Sequence, residues 1–468
     1  MIIFIGDLHI GCGDVLDDFF LAENLTISTQ KKSMSEFLSA IDKMHKVFDS
    51  FLEYILSIKK GEKVEVILLG DIFDCLQIQN AEYGSPQKID LIKKSHSPFF
   101  ESLNNFIKKG GEVTYVIGNH DKEMAFSECF ERLKSIVPQL NEKYDGKPIH
   151  YYRNTELSLY AEHGNQSDPF NRFKNPLDPK EIPIGSLIVQ HIVNNFEKEY
   201  PLIDNLQGAQ EILWLSLKRL PGFLNKKFRK QITALLKSKS LPQPKDENDN
   251  VKLDFSVSGG EGAILEKVLN GQILNEPSFI QIIRQLLTII MEKGKFPDLP
   301  SVKKGIVYLL LALEKCLRMK ANPAFIGAEV LLCLSDLDIH PVKILREVVD
   351  EHRVLFAKNV LFSSPEEQSE LIKCGNLIGR PPEKFDIFIL AHHHKPSLHQ
   401  WGDKTYANTG SWKPIALPVS PDKFRLSQTF DFILVRKDND GEVEVKKCNF
   451  RRSKAFRNIS VTQASSLA

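Results

Sequence analysis

The chain has 468 residues, beyond the size at which a single hydrophobic core usually stops growing, so two or three folding units are expected. Its 42% hydrophobic and 26% charged residues are ordinary for a globular protein, and 61 Lys plus Arg against 60 Asp plus Glu leave a net charge of +1. That balance removes any argument from bulk charge for a nucleic-acid or membrane partner. Seven cysteines (Cys12, Cys75, Cys129, Cys316, Cys333, Cys374 and Cys448) are odd in number and singly scattered. They argue against a disulfide scaffold or zinc knuckle and fit a reducing compartment. The opening MIIFIGDLH lacks the layout of a signal peptide, and no run reaches the roughly 20 apolar residues that span a bilayer, so a soluble, cytoplasmic protein is expected.

In chain order, residues 1–5 (MIIFI), 64–69 (VEVILL) and 113–117 (VTYVI) are short, branched, almost wholly apolar runs, the pattern of strands buried on both faces. Residues 36–59 and 98–109 predict helices between them, with Gly61 and Gly110 as stops. A further strand is predicted at 157–162, followed by a polar loop over 163–180. From about 185 to 380 the texture is helical, with runs at 205–237, 276–293, 302–320 and 323–335, broken by a charged, Pro- and Gly-containing mobile loop at 239–262. Ser364, Pro365 and Glu367 predict a capped helix start. Strand texture returns at 385–391, 403–408, 428–436 and 441–447, the last two as a hairpin. The expectation is an α/β fold: a layered β-sheet core flanked by helices, over 1–184 and 381–468, interrupted by a large, mostly helical insertion or cap domain at 185–380.

Polar residues collect where predicted strands end, the place at which open α/β sheets bind ligands. Asp7 and His9 follow the first strand in GDLH, and Asp71 and Asp74 the second in GDIFD. Asn119, His120 and Asp121 follow the third in GNHD, His163 the fourth in EHGN, and His392, His393 and His394 the strand at 385–391. Oxygen and imidazole donors at five strand ends suit two hard or borderline divalent cations with one carboxylate between them. Gly6 and Gly70 let the backbone turn and pass close to an ion.

Each residue alone also has a plainer reading. Asp7 and Asp71 are of the type that caps turns and helices, and Asp74, between Phe73 and Cys75, resembles a packed helix start. His120 reads as a surface imidazole, and the HHH run as an adventitious metal tract. In extended backbone His392 and His394 lean to one side and His393 to the other, leaving His393 as a substrate contact or filler. After His163, Arg172 is a candidate for a bidentate phosphate contact with Asn165 and Asn171 orienting it; alternatively all three are loop residues.

The ordered series D-x-H, G-D-x-x-D, G-N-H-D, a histidine followed by glycine, and a final H-x-H resembles the calcineurin-like metallophosphoesterase superfamily over 1–180 and about 383–447, with Ala391 where the family usually has glycine. The resemblance implies Asp7, His9, Asp71 and His394 around one metal, and Asp71, Asn119, His163 and His392 around a second, with Asp71 as the bridge. It implies that His120 faces the substrate and helps protonate the leaving oxygen, supported by Asp74 and Asp121. The implied activity is metal-dependent hydrolysis of a phosphate ester, as in a phosphatase, by water activated at a dinuclear centre; manganese is favoured, with iron or zinc also suited. The implied substrate is a phosphate-containing small molecule.

The lipid-A-pathway UDP-2,3-diacylglucosamine pyrophosphohydrolases are similar near His163, but they usually carry aspartate at the position of Asn165 and arginine at that of His120. Their substrate is therefore not carried over, and a pyrophosphohydrolase of some nucleotide-linked substrate stays as an alternative. A non-catalytic, metal-containing scaffold that recruits a protein through the insertion is another. The short KKFRK at 226–230 gives little support to a nuclease, which needs a continuous basic track. Leu213, Leu215, Leu220 and Leu224 suit core packing, and the insertion is a candidate surface for a homo-oligomer or protein partner.

Overall fold

The computed structural model describes residues 1–190, 194, 205 and 353–450, apart from breaks at 15, 23–25, 29–33, 60, 169–170, 184, 187–188, 421–422 and 439. Strand β1 (Ile2–Ile5) is wholly apolar because both its faces are covered. It lies between β3 (Val64–Leu69), to which it is parallel, and β12 (Asp431–Lys437), to which it is antiparallel. With β4 (Gly111–Val116) and β13 (Val443–Asn449) at the edges, the first sheet has the order β13-β12-β1-β3-β4. A second sheet has the order β5-β6-β7-β9-β8, formed by β5 (Tyr151–Asn154), β6 (Leu159–Glu162), β7 (Ile387–Leu390), β9 (Lys404–Asn408) and β8 (Ser397–Trp401). Within it β6, β7 and β9 run parallel. A small third sheet joins β10 (Ile415–Ser420), β11 (Lys423–Ser427) and β2 (Thr26–Ser28).

Alternation along β1 assigns its residues to two cores. Ile3 and Ile5 face a helix-side cluster with Phe48, Phe51 and Ile55 of α1 (Met34–Ile58), Phe99, Phe100 and Leu103 of α2 (Gln87–Lys108), and Phe130 and Leu133 of α3 (Ser127–Ile136). Ile2 and Phe4 face an inter-sheet cluster in which Ile67 and Val116 meet Tyr152, Ala161 and Ile389. The edge of one ring in the Phe4–Tyr152 pair packs on the other at 5.8 Å between centroids. Each fully buried side chain of this size stabilises by about 1.5–3 kcal/mol, so the central strands carry two layers' worth of burial. The fold is mixed α/β, with helices, sheet and sheet in succession.

One helix start departs from the sequence expectation and another matches it. The second helix begins at Gln87 rather than 98, because it runs through a kink in which His96 leaves helical geometry (φ −124°, ψ 33°) ahead of Pro98. Proline at 98 resembles a helix start for the same reason that it breaks one: it has no N–H to donate. Helix α4 (Pro365–Lys373) starts where its cap predicts, with Glu367 N donating to Ser364 Oγ and Ser364 N to the Glu367 carboxylate. Ser364→Ala is expected to lower stability by about 1 kcal/mol, read from the urea midpoint. An unchanged midpoint would mean that water replaces the cap at no cost.

By compactness the chain divides into one unit of Met1–Gly208 with Phe356–Ala468 and another of Ala209–Leu355. In the first unit, Asn205 donates to Asp18 Oδ1 (2.6 Å) and Pro414 O (3.1 Å). The predicted helical runs at 276–293, 302–320 and 323–335, nearly all of 205–237, the loop at 239–262, KKFRK, and Leu213, Leu215, Leu220 and Leu224 lie outside the described residues. Among the described residues, no helix is long and apolar enough to cross a membrane.

Candidate metal centre

Beyond their last ladder residues, β1 and β3 continue as two loops stitched by main-chain bonds. Asp7 N donates to Gly70 O (3.1 Å), His9 N to Asp71 O (3.0 Å) and Asp74 N to Ile10 O (2.9 Å). This ladder places GDLH and GDIFD side by side at the C-terminal ends of parallel strands. The second sheet reaches the same place: Ala391 N donates to His163 O (2.8 Å), and His392 N crosses to Asp7 Oδ2 (2.8 Å). Ser411 Oγ, in the turn after β9, holds Asp7 O at 2.9 Å. Two glycines make the approach possible. A Cβ at Gly70 would lie 2.5 Å from His163 Nδ1, and one at Gly118 would lie 2.3 Å from Asp71 Oδ1.

Asp7, His9, Asp71, His392 and His394 all adopt positive φ, between 50° and 68°, and they make up five of the eight non-glycine residues that do so among those described. Each such conformation costs on the order of 1 kcal/mol. Local strain is therefore concentrated on the residues chosen as ligands.

Those candidate ligands converge in two sets, and a third close cluster joins His9 to Asp74 and His120. Asp7, His9 and His394 bring one donor atom each within 4.8 Å of one another, and so do Asp71, His163 and His392. In the first, His9 Nε2 and His394 Nε2 are 3.2 Å apart, with Asp7 Oδ1 at 3.8 and 3.4 Å. In the second, His163 Nε2 lies 3.1 Å from Asp71 Oδ2 and 3.2 Å from Asn119 Oδ1. His120 N bonds the other Asp71 oxygen at 2.8 Å.

The donors fit a cation. His9 Nδ1 faces Asp74 Oδ2 at 2.8 Å, and His163 Nδ1 faces Leu69 O at 3.0 Å. Each of these acceptors holds the ring N–H at Nδ1, so in the neutral rings Nε2 presents a lone pair. Those lone pairs point at carboxylate and amide oxygens and at another imidazole, an arrangement that is repulsive without positive charge among them. Buried Asp7 Oδ1 and Asn119 Nδ2 have no hydrogen bond.

The electrostatics agree. Burial opposes charge on Asp7, Asp71 and Asp74, yet the neighbouring imidazoles hold all three carboxyl groups below their usual range. Burial likewise opposes charge on His9 and His163, but Asp7 and Asp74 push His9 up to about 10, and Asp71 pushes His163 up to about 9. A field that favours a proton also favours a divalent ion.

The remaining candidates take distinct places. His120, 18% exposed, turns Nδ1 to both Asp74 oxygens at 2.9 and 3.0 Å, so Asp74 orients His9 and His120 together. Asp121 is fully buried and accepts from Gly118 N, Ile72 N and Tyr115 OH; burial and nearby Asp71 push it up to about 6. Asn165 Nδ2 bonds Asn171 O and Gln166 Oε1 within its own loop, and Arg172 Nη1 bonds Asn376 Oδ1 at 3.0 Å. His393 Nε2 meets Ser167 Oγ at 3.2 Å.

The three histidines are not extended. β7 ends at Leu390, and the positive φ of His392 and His394 bends the chain there, so the alternation expected of a strand does not apply. His392 and His394 reach different sets through that bend. Sequence reasoning missed Asp168, whose Oδ2 lies 3.1 Å from His392 Nε2. Its only signal is an acidic residue in the polar loop after His163.

Comparison with curated proteins returns no match. Residues 1–213 match the family model for calcineurin-like phosphoesterase, a span that contains the first four motifs and the strand ends bearing them. Over residues 1–213 the chain is similar to the calcineurin-like phosphoesterases, metal-dependent hydrolases of phosphate esters.

Proposed function

We propose that this protein hydrolyses the phosphate ester of a small molecule at a dinuclear centre. Asp7, His9, Asp71 and His394 hold one divalent cation, and Asp71, Asn119, His163 and His392 hold the other. The observation that carries this reading is the pair of converging donor sets, each containing an imidazole whose far nitrogen is fixed by an acceptor. When bound, the ions supply an activated water and neutralise charge growing on the phosphoryl oxygens. Mixed carboxylate, amide and imidazole donors suit manganese, with zinc and iron as competitors.

The chain's own residues supply orientation and a proton. Asp74 takes the N–H of His120 at Nδ1, leaving Nε2 to deliver a proton to the departing oxygen. The same carboxylate fixes His9, so proton donor and metal ligand share one support.

Phosphate release from matched monoester, diester and pyrophosphate substrates tests this reading, using metal-stripped protein reloaded separately with manganese, zinc or iron. Turnover is expected only after reloading, highest with manganese and on a monoester. Preference for the pyrophosphate would select the nucleotide-linked alternative. Metal uptake with no turnover on any substrate would overturn hydrolysis in favour of a scaffold.

A further inference from the structure

His392 differs from His9 and His163, which are held at Nδ1, in the ring atom that is bonded. Its Nε2 faces Asp168 Oδ2 at 3.1 Å. A ring nitrogen facing a carboxylate carries the hydrogen, which leaves Nδ1 with the lone pair in a residue that offers one ring nitrogen to the Asp71–His163 set. Asp168 belongs to a loop that is itself tightly bonded. The same Oδ2 accepts Asn171 Nδ2 at 2.8 Å, and Asp168 O accepts Asn171 N (3.1 Å) and Arg172 N (2.9 Å). Gln166 Nε2 clasps Phe173 O (2.9 Å) and Gly375 O (2.6 Å), while Arg172 bonds Asn376. The carboxylate is thus carried on a frame fixed at both ends, and its direction is set by that frame.

We propose that Asp168 is a positioning residue for His392: it locks the Nε2–H tautomer and couples residues 164–168 and 171–173 to occupancy of the second cation site. The proposal rests on the dinuclear reading above. If the loop orients the ligand, the bound cation must in turn hold the loop, because coupling between two equilibria is reciprocal. On this account Asn165 and Asn171 serve the metal site through Asp168, and need not touch phosphate to matter.

Calorimetric titration of the metal-stripped full chain with Mn2+, for wild type, D168A and D168N, tests it, alongside amide exchange over 164–173. Wild type should take up two ions. D168A should weaken one of them by about 10–100-fold and leave the other unchanged, and D168N, whose neutral oxygen still accepts, should weaken the same ion less. In wild type the second equivalent of Mn2+ should slow exchange across the loop, and in D168A it should not.

Equal affinities in all three proteins would overturn the role of Asp168 alone, as would equal weakening of both ions, which marks a general structural defect. Fewer than two ions in wild type would instead remove the dinuclear reading on which it rests. Should metal-free D168A fail to fold by its melting curve, D168N decides: one ion weakened supports the proposal, and both unchanged overturns it.

Discussion

His120→Ala is expected to lower kcat by roughly 10²–10⁴ while the protein still takes up two Mn2+ ions. His120 sits outside both sets proposed as ligands, shares a third close cluster with His9 and Asp74, is partly exposed, and is held by Asp74 through one nitrogen only. Removing it takes away a proton donor and leaves the ligands in place. The loss should depend on the leaving group. A monoester that departs as an acidic phenol needs no proton, so the variant should approach wild type on it, whereas an alkyl monoester should show the full deficit. A uniform loss across leaving groups would mean that His120 binds phosphate or supports the fold and does not deliver a proton. No loss on any substrate would remove it from the chemistry.

Lys88→Met is expected to destabilise the core by about 3–5 kcal/mol, followed by urea denaturation of metal-free protein. Lys88 Nζ pairs with Glu123 Oε1 at 2.6 Å and bonds Cys75 O at 2.9 Å, and both side chains are almost wholly buried. Burial alone pushes Glu123 up, and Lys88 draws it back toward ionisation. Without the lysine the carboxyl is left buried and unpaired apart from the Gly84 amide. Since Glu123 lies in the short turn that follows Asp121, the pair also braces the GNHD loop. The double variant K88M/E123L should recover most of the loss, because two apolar groups leave no uncompensated charge. A loss below about 1 kcal/mol in K88M would show that the carboxyl finds water or a proton at little cost.

The central strands were legible because burial on both faces leaves them almost wholly apolar, Glu65 being the exception in Val64–Leu69. Runs predicted at 64–69 and 385–391 appear as Val64–Leu69 and Ile387–Leu390. Strand β8 was missed, since SLHQW is partly exposed throughout and carries no apolar alternation. The three-stranded sheet was missed too: β2 has only three residues, and its pairing with β11 is a long-range event without local pattern.

At the site, residue types after strand ends pointed to Asp7, His9, Asp71, Asn119, His163, His392 and His394, and the fold brings these to one end of the two sheets. What could not be read was support. Asp168 touches His392 across 224 positions of sequence, and Ser411 reaches Asp7 across 404, with nothing local to mark either. The stagger of the three histidines was misread because a strand was extended past Leu390 into a bend.

Strands β6 and β7 are neighbours in a parallel ladder, yet one ends at Glu162 and the other begins at Ile387. His392 N and Asp7 Oδ2, bonded in the finished protein, are 385 residues apart. At ~5–20 residues per second, a ribosome needs roughly 20–80 s to travel from one to the other. Throughout that interval β1 lacks β12 along one edge, and from residue 162 onward β6 lacks β7, so the growing chain presents unpaired strand edges of the kind that aggregate. Closing so long a span also has an entropic cost that grows only logarithmically with length, so the delay is kinetic more than energetic. On the proposed ligand set, which includes His392 and His394, both cation sites would be completed only after residue 394 has emerged.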